Sequence, residues 1–339
     1  MRVAIIGGGA SGLITAYLLR QQHATVVFEQ APVLGGHIRT INGNVRGDNI
    51  DDHVVAENGV VGFDLTSYPT FGKLASELGL ELTSYAIHFG LFYPNGHYLL
   101  TPSHYQRAFD SPWERLRNFG RLLRAYPSTR TLLRDINALT KSDLEHRATS
   151  DFIQDSDDPG HKIMLACFML AFSVPYSRVG DIPAEISVAY MQGEYPANWY
   201  FLKSGAYSYI EKMIGLMPEG HVRHCSAGVQ SVTRSDRGVC VKAQGRDAEH
   251  FDAVVFATPP GRVLTILADP TDAEKRRFGA WTCNEFKTVA HRDPGLYQNY
   301  RTETHAPCDY FMLRDERRFG YNTYINHGYG YDREVPYSF

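Results

Sequence analysis

The chain has 339 residues, 43% of them hydrophobic and 21% charged, the proportions of an ordinary soluble protein with enough length for one large or two interleaved domains. A formal net charge of −3 predicts no polyanion-binding surface and argues against nucleic acid as a partner. The five cysteines, Cys167, Cys225, Cys240, Cys283 and Cys308, are odd in number, scattered and never in a Cys-x-x-Cys pair, the pattern of reduced thiols in a cytoplasmic protein.

The chain opens on a β-branched run, Val3-Ala4-Ile5-Ile6, that feeds into Gly7-Gly8-Gly9-Ala10-Ser11-Gly12 and then into Leu13–Gln21 with apolar residues at helical spacing. This reads as strand, tight turn and helix. Gly7 permits the turn, Gly9 lets backbone approach a pyrophosphate, and Gly12 lets the helix pack closely on the strand. The helix N-terminus offers N–H groups and a positive dipole end to an anion. A second β run, Ala24–Phe28, ends at Glu29, 22 positions beyond Gly7, where an acid meets a ribose hydroxyl in dinucleotide folds. The plainer reading, a glycine-rich turn in an unrelated fold, does not explain strand, helix and acid together. A second glycine pair, Gly35-Gly36, follows in Gln30-Ala31-Pro32-Val33-Leu34-Gly35-Gly36-His37-Ile38-Arg39-Thr40 and would bring more backbone against the same ligand.

Here the chain resembles the flavoprotein amine oxidase superfamily, which includes monoamine and polyamine oxidases, phytoene desaturases and protoporphyrinogen oxidases. Its FAD signature is the glycine fingerprint, an acid, then Leu-Gly-Gly-Arg. His37 stands where Arg is usual, similar to a bacterial branch of predicted NAD/FAD-binding proteins with Leu-Gly-Gly-His, and Arg39 two positions on could reach a phosphate. His37 can also be read as a solvent-facing loop histidine. The resemblance implies FAD as cofactor, with Gly7, Gly9, Ala10, Ser11, Gly12, Glu29, Gln30, Gly35, Gly36, His37 and Arg39 around it. It also implies an α/β fold: a Rossmann-like FAD-binding domain of the GR2 type over 1–72 and 203–262. An interleaved α+β substrate domain with a helical insertion would occupy 73–202 and 263–339.

Further along, Gly59-Val60-Val61-Gly62-Phe63 precedes Tyr68-Pro69 and an amphipathic helix over Lys73–Leu78. In the resembled branch a glycine-bearing apolar segment here passes beside the isoalloxazine ring, so Gly59, Val60 and Val61 are candidates for the flavin wall; a core strand and turn is the other reading. Apolar runs around Pro94-Asn95-Gly96 signal a hairpin. From Pro102 to about Tyr190 the period becomes helical, over Trp113–Tyr126, Leu132–Leu144, Lys162–Phe172 and Ala184–Met191. The apolar run Ile163–Phe172 is about half a membrane span and reads as buried core. Arg115, Arg117, Arg121, Arg124, Arg130 and Arg134 read as a solvated helix side, with an anion-binding face as the alternative. An aromatic strand, Asn198–Leu202, leads through Ser204-Gly205, where relatives carry Gly-Gly, to a helix over Ser208–Met217. Strands at 228–232, 238–243 and 251–257 then close on Thr258-Pro259-Pro260. In the family the residue at Val229 touches adenine through its backbone, and the turn with Thr258 and Pro259 lies beside the cofactor.

No His-x-x-x-His pair or acid cluster stands at ligand spacing, and a flavin needs neither metal nor nucleophile triad. The resemblance places Lys287 on the strand where many amine oxidases carry a lysine that holds water near flavin N5. A partly buried lysine there could assist proton transfer; an edge-strand surface lysine is the alternative. His291 and Asp293 mark a turn. The late aromatic residues, Tyr297, Tyr300, Tyr310, Phe311, Phe319 and Tyr321 among them, could line a cavity or form sheet core. Relatives end in a strand, a Gly-Asp turn and a glycine-rich helix aimed at the flavin pyrimidine, whereas this sequence stops at Val335–Phe339. The expectation is therefore a truncated member, a site completed by a partner chain or a homodimer, or weakened FAD binding. The function implied is FAD-dependent hydride transfer from a C–N or C–C bond of a small amine or unsaturated lipid-like substrate. A flavin-dependent double-bond isomerase and a non-catalytic flavin-fold protein are the alternatives.

Overall fold

The structure, a computed structural model, describes residues 1–48, 50–66, 68–85, 89–101, 111–192, 199–224, 228–283, 288–291, 293–300, 308–312 and 319–323. The chain begins with β1 (Arg2–Ile6), α1 (Ala10–Leu19), β2 (Ala24–Glu29), β3 (Thr40–Ile41), β4 (Ala56–Glu57) and α2 (Pro69–Glu77). It continues through β5 (Leu82–Tyr85), β6 (Phe89–Phe92), β7 (Tyr98–Thr101), α3 (Pro112–Ala138), α4 (Lys141–Leu144), α5 (Pro159–Phe172), α6 (Tyr176–Val179) and α7 (Ala184–Gln192). Then come β8 (Trp199–Leu202), α8 (Tyr207–Gly215), β9 (Val222–His224), β10 (Val229–Ser235), β11 (Gly238–Ala243), β12 (Glu249–Phe251) and β13 (Ala253–Phe256). Last are α9 (Pro260–Ile266), α10 (Asp272–Gly279), β14 (Cys308–Met312) and β15 (Phe319–Thr323). Two compact units result, Met1–Thr83 with Tyr200–Thr288 and Ser84–Trp199 with Val289–Phe339.

In the first unit four parallel strands stand in the order β13-β1-β2-β9. Both faces of β1 and β2 are covered, which is why they read as near-continuous apolar runs without alternation. Val3, Ile5 and Val27 face Leu13, Ala16, Tyr17, Ile210 and Met213 of α1 and α8. Ala4, Ile6, Val26 and Phe28 face the antiparallel β10-β11-β12 sheet and Val263 of α9. Leu74 and Leu78 join the first of these cores and Leu267 the second. That packing puts α2 and α9 in this unit.

In the second unit a sheet of order β15-β14-β6-β7 carries the expected hairpin, with Gly96 at φ +81 in its turn. The helices α3, α5, α6 and α7 share one core with Leu91, Leu99 and Tyr310 from that sheet. Ile163–Phe172 lies within α5, where Met164, Leu165, Phe168 and Met169 are buried.

One expectation changes here. The chain does not break between Tyr126 and Leu132: α3 is a single helix of 27 residues with Pro127 inside it. Proline removes one backbone N–H and disfavours the preceding turn, but tertiary contacts outweigh that local preference. Ala125, Leu132 and Ile136 are buried on one side of Pro127 or the other. The Asn118 side chain, fully buried, accepts from Leu100 N–H at 2.9 Å and donates to Leu100 C=O at 3.1 Å, which fastens the first half of the helix to β7.

The described late aromatics are core. Phe92, Tyr98, Tyr297 and Phe311 are buried together, with Phe92 and Phe311 stacked at 4.7 Å. The Tyr297 hydroxyl donates to the buried Asp309 carboxylate at 2.6 Å. The side chains of Phe319 and Tyr321 lie outside the described residues. Burial pushes the Cys308 thiol up, helped by the neighbouring Asp309 carboxylate. Cys167, Cys240, Cys283 and Cys308 are all free.

Candidate cofactor site

Everything at this site grows from the C-terminal edge of the parallel sheet in the first unit, the edge at which open α/β sheets bind ligands. Gly7 N–H donates to Phe28 C=O at 2.8 Å and Ala257 N–H to Ile6 C=O at 2.8 Å, so the ends of β1, β2 and β13 are pinned together. Gly7 has φ +114, and a Cβ there would run into the Ala257 carbonyl, so the turn itself demands glycine. Gly12, in the first turn of α1, would drive a Cβ into the Gly7 carbonyl oxygen. Close helix–strand packing is the reason for that glycine.

Gly9 is different. Its backbone is extended, with φ −79 and ψ −178, and among the described residues a Cβ would meet only Gly36, with its Cα at an ordinary 3.6 Å. None of its described neighbours requires glycine at 9. The missing side chain leaves room in front of α1, whose N-terminus has no side-chain cap hydrogen bond and no acid in its first turn. Ala10 is half-buried and Ser11 exposed there. Such an end presents uncapped N–H groups and the positive pole of the helix.

The second glycine bend touches the first. Gly35 N–H donates to Gly8 C=O at 2.8 Å, Gly9 and Gly35 form a parallel bridge, and a Cβ on Gly36 (φ +60) would lie 2.9 Å from Gly9 Cα. Glu29 secures the pair. One carboxylate oxygen accepts Gly8 N–H at 2.6 Å and the other accepts Ala31 N–H at 2.7 Å. Each oxygen of an ionised carboxylate has a second lone pair, so acceptor capacity remains for a hydroxyl. Gln30 is exposed and adjoins Gly228 (φ +72), where a Cβ would be 3.1 Å from its Oε1. That brings Gln30 beside Val229.

Residues Gly59, Val60 and Val61 run next to His37 and Arg39. Asn58 N–H donates to Arg39 C=O at 2.7 Å and Val60 N–H to His37 C=O at 3.3 Å, and a Cβ on Gly59 would strike the His37 carbonyl. The His37 side chain is exposed, as in the solvent-facing alternative, and its backbone is what joins the site. Arg39 is half-buried, and among the described residues its guanidinium reaches only the Ile38 carbonyl, at 3.4 Å. Past β13, the Thr258 hydroxyl is buried without a partner among the described residues, as is Asn58 Oδ1; Thr258 lies beside Gly7. Pro259 is exposed and leads into α9.

Two groups that organise the site escaped the motif reading. Asn44 accepts Thr40 N–H at 2.9 Å and donates to Leu34 and Ile38 carbonyls at 2.7 and 2.8 Å, which shapes the Gly35-Gly36 loop. Glu57, 1% exposed, accepts the Thr40 hydroxyl at 2.7 Å and Ala206 N–H at 2.6 Å. It ties the β3–β4 pair to the start of α8. A lone acid inside Val54-Val55-Ala56-Glu57-Asn58-Gly59-Val60-Val61 was the available signal, because an apolar run buries its charges only when they are partnered.

These residues fit an extended dinucleotide. They supply a bare helix end, a glycine at 9 that the described fold does not itself demand, a carboxylate with spare acceptor capacity, and, among the described residues, an arginine without a carboxylate partner and buried polar atoms lacking partners. Lys287 lies outside the described residues. Among the described residues no group of three or more His, Cys, Asp or Glu could hold a metal ion, and no helix is long and apolar enough to cross a membrane.

A family model described as flavin containing amine oxidoreductase matches residues 10–286. No curated protein matches the chain. Among solved structures, putrescine oxidase bound to putrescine is similar at 20% identity and TM-score 0.55, over 82% of this chain and 63% of that one. The chain therefore spans less than two thirds of that oxidase. A CLA-producing fatty acid isomerase from P. acnes is similar at 16% identity and TM-score 0.64, over 99% of this chain and 75% of the other. Cyclohexylamine oxidase from Brevibacterium oxydans IH-35A is similar at 16% identity and TM-score 0.55, over 81% and 62%. At these identities the likeness is one of fold.

Proposed function

Because the chain belongs to the family of flavin containing amine oxidoreductases, we propose that it is an FAD-dependent oxidoreductase whose first unit carries the cofactor. The observation that supports this most directly is the contact between the two glycine bends in front of an uncapped helix. Bound flavin supplies the two-electron chemistry, as hydride acceptor at N5. The chain's own part is to bind, orient and handle protons. In this reading the backbone N–H groups from Gly9 to Gly12 face the pyrophosphate, with Arg39 as a nearby cation, and Glu29 accepts a ribose hydroxyl. The backbone at Val229 and Gln30 flanks the adenosine end. Gly59, Val60 and Val61 would form a wall for the isoalloxazine, Thr258 and Pro259 would lie beside the cofactor, and Lys287 would hold or move a proton at its Nζ.

The substrate class proposed is a small amine or an unsaturated lipid-like molecule, oxidised at a C–N or C–C bond. The two amine oxidases among the similar folds favour the first. The fatty acid isomerase, whose fold covers nearly the whole of this chain, favours a second reading: a double-bond isomerase in which the same substrate is oxidised and re-reduced.

Purified protein mixed anaerobically with putrescine, cyclohexylamine or an unsaturated fatty acid separates these readings. Bleaching of the flavin absorbance by an amine identifies amine oxidation, and its recovery with peroxide on admitting air identifies an oxidase. A rearranged fatty acid formed without peroxide identifies an isomerase. Protein that retains FAD yet acts on none of them fits the non-catalytic alternative, and a colourless preparation that takes up no FAD rejects the whole proposal.

A further inference from the structure

The outer side of α3 has a composition that a solvated face does not explain. Trp113, Leu116, Phe119, Leu123 and Tyr126 are all exposed, Trp113 at 71% and Leu123 at 57%. No other element of the described structure exposes so many large apolar side chains. With about 3.6 residues per turn, Leu116 and Leu123 lie opposite Asn118, Ala125 and Leu132, which face the core. The helix is thus apolar on two sides, and among the described residues only one has a partner in the second unit. From Trp113 to Tyr126 the outer stripe is about 20 Å long.

Charge indicates what the stripe would meet. Helix α3 carries six arginines against two acids in a chain of net charge −3. Arg117 and Arg124 flank the stripe and Arg130 stands at its C-terminal end. All three are exposed, and none has a carboxylate partner among the described residues. Pairing this face with the same face of a second copy would set those arginines against one another. Aromatic and leucine side chains bordered by arginine are the features of a helix that lies in the plane of a membrane interface, its apolar side about 5–10 Å into the acyl boundary.

We propose that the outer face of α3 docks on an anionic lipid bilayer. The proposal is independent of the chemistry assigned to the first unit. It is tested with the full, FAD-loaded chain by co-sedimentation with vesicles of phosphatidylcholine alone or with about one third phosphatidylglycerol. The expected result is binding to the anionic vesicles that weakens as salt rises. Trp113→Ser, Leu116→Ser and Leu123→Ser combined should lower partitioning roughly tenfold or more with an unchanged melting curve, because all three side chains face solvent. Arg117→Gln, Arg124→Gln and Arg130→Gln combined should remove the preference for anionic lipid. Brominated acyl chains should quench fluorescence that Trp113→Phe removes. Wild-type protein that ignores anionic vesicles overturns the proposal. So does vesicle binding that the serine variant leaves intact, or self-association without vesicle binding that the serine variant abolishes.

Discussion

Gly35 donates its backbone N–H to the carbonyl oxygen of Gly8 at 2.8 Å, so two bends 27 residues apart in the chain form one surface. The hydrogen bond aligns Gly9 with Gly36 and leaves the N-terminus of α1 open in front of both. A ligand lying there would meet backbone from both bends, and the consequences can be measured.

The three fingerprint glycines should separate by phenotype. A Cβ at Gly12 collides with the Gly7 carbonyl, so Gly12→Val should destabilise the cofactor-free protein by about 3 kcal/mol or more. Gly9→Ser should leave its stability unchanged or slightly raised, since serine is a better N-cap than glycine and the backbone there is extended. Gly9→Ser should nonetheless lose FAD, because its side chain enters the space before α1. Urea melts of stripped protein alongside FAD titrations check this, and equal losses of stability for both variants would contradict it.

Glu29 serves the protein before it serves any ligand. Glu29→Gln can replace only one of the two acceptors that hold Gly8 and Ala31 N–H, so the cofactor-free form should lose roughly 1–2 kcal/mol. A residue that only contacts ribose would show no such loss. Thermal melts without FAD distinguish the two roles.

Glu57 should be the costlier acid to remove. Glu57→Ala strands the Thr40 hydroxyl and Ala206 N–H in a buried setting, at about 2–5 kcal/mol for the two groups. Glu57→Gln keeps one acceptor and should fall between that variant and wild type. Denaturant midpoints measure the series, and an alanine variant as stable as wild type would show that water satisfies both donors.

Acid sensitivity should come in part from Glu274. The Arg234 guanidinium, then the backbone and hydroxyl of Thr271, lower its carboxyl from 4.5 to about 2, within a capping box at the start of α10. A carboxyl held lower in the folded than in the unfolded chain stabilises the fold above its unfolded value, and that contribution disappears as pH falls to the folded one. The melting temperature should therefore decline between pH 4.5 and about 2, and Glu274→Gln should melt below wild type at neutral pH and converge with it in acid. Melting curves that stay parallel throughout would assign the acid response to other carboxylates.

What the sequence determined by itself was local and periodic. The apolar runs of β1 and β2, the glycines after them and the acid at 29 are separated by a few residues each, and their conformations follow from backbone sterics and burial on both faces of a sheet. The hairpin at Asn95-Gly96 and the buried helix α5 were legible for the same reason. Tertiary structure alone decided matters that join distant segments. Helix α3 continues through Pro127 because its inner side is packed and Asn118 is clamped to β7, which no window around Pro-Ser-Thr reveals. The bonds of Glu57 to Thr40 and Ala206 span 17 and 149 positions, and only the folded chain shows that Gly9, unlike Gly7 and Gly12, owes nothing to its neighbours. Hydrogen-bond partners and excluded volume depend on where the rest of the chain lies, and sequence spacing carries that information only within a turn or two.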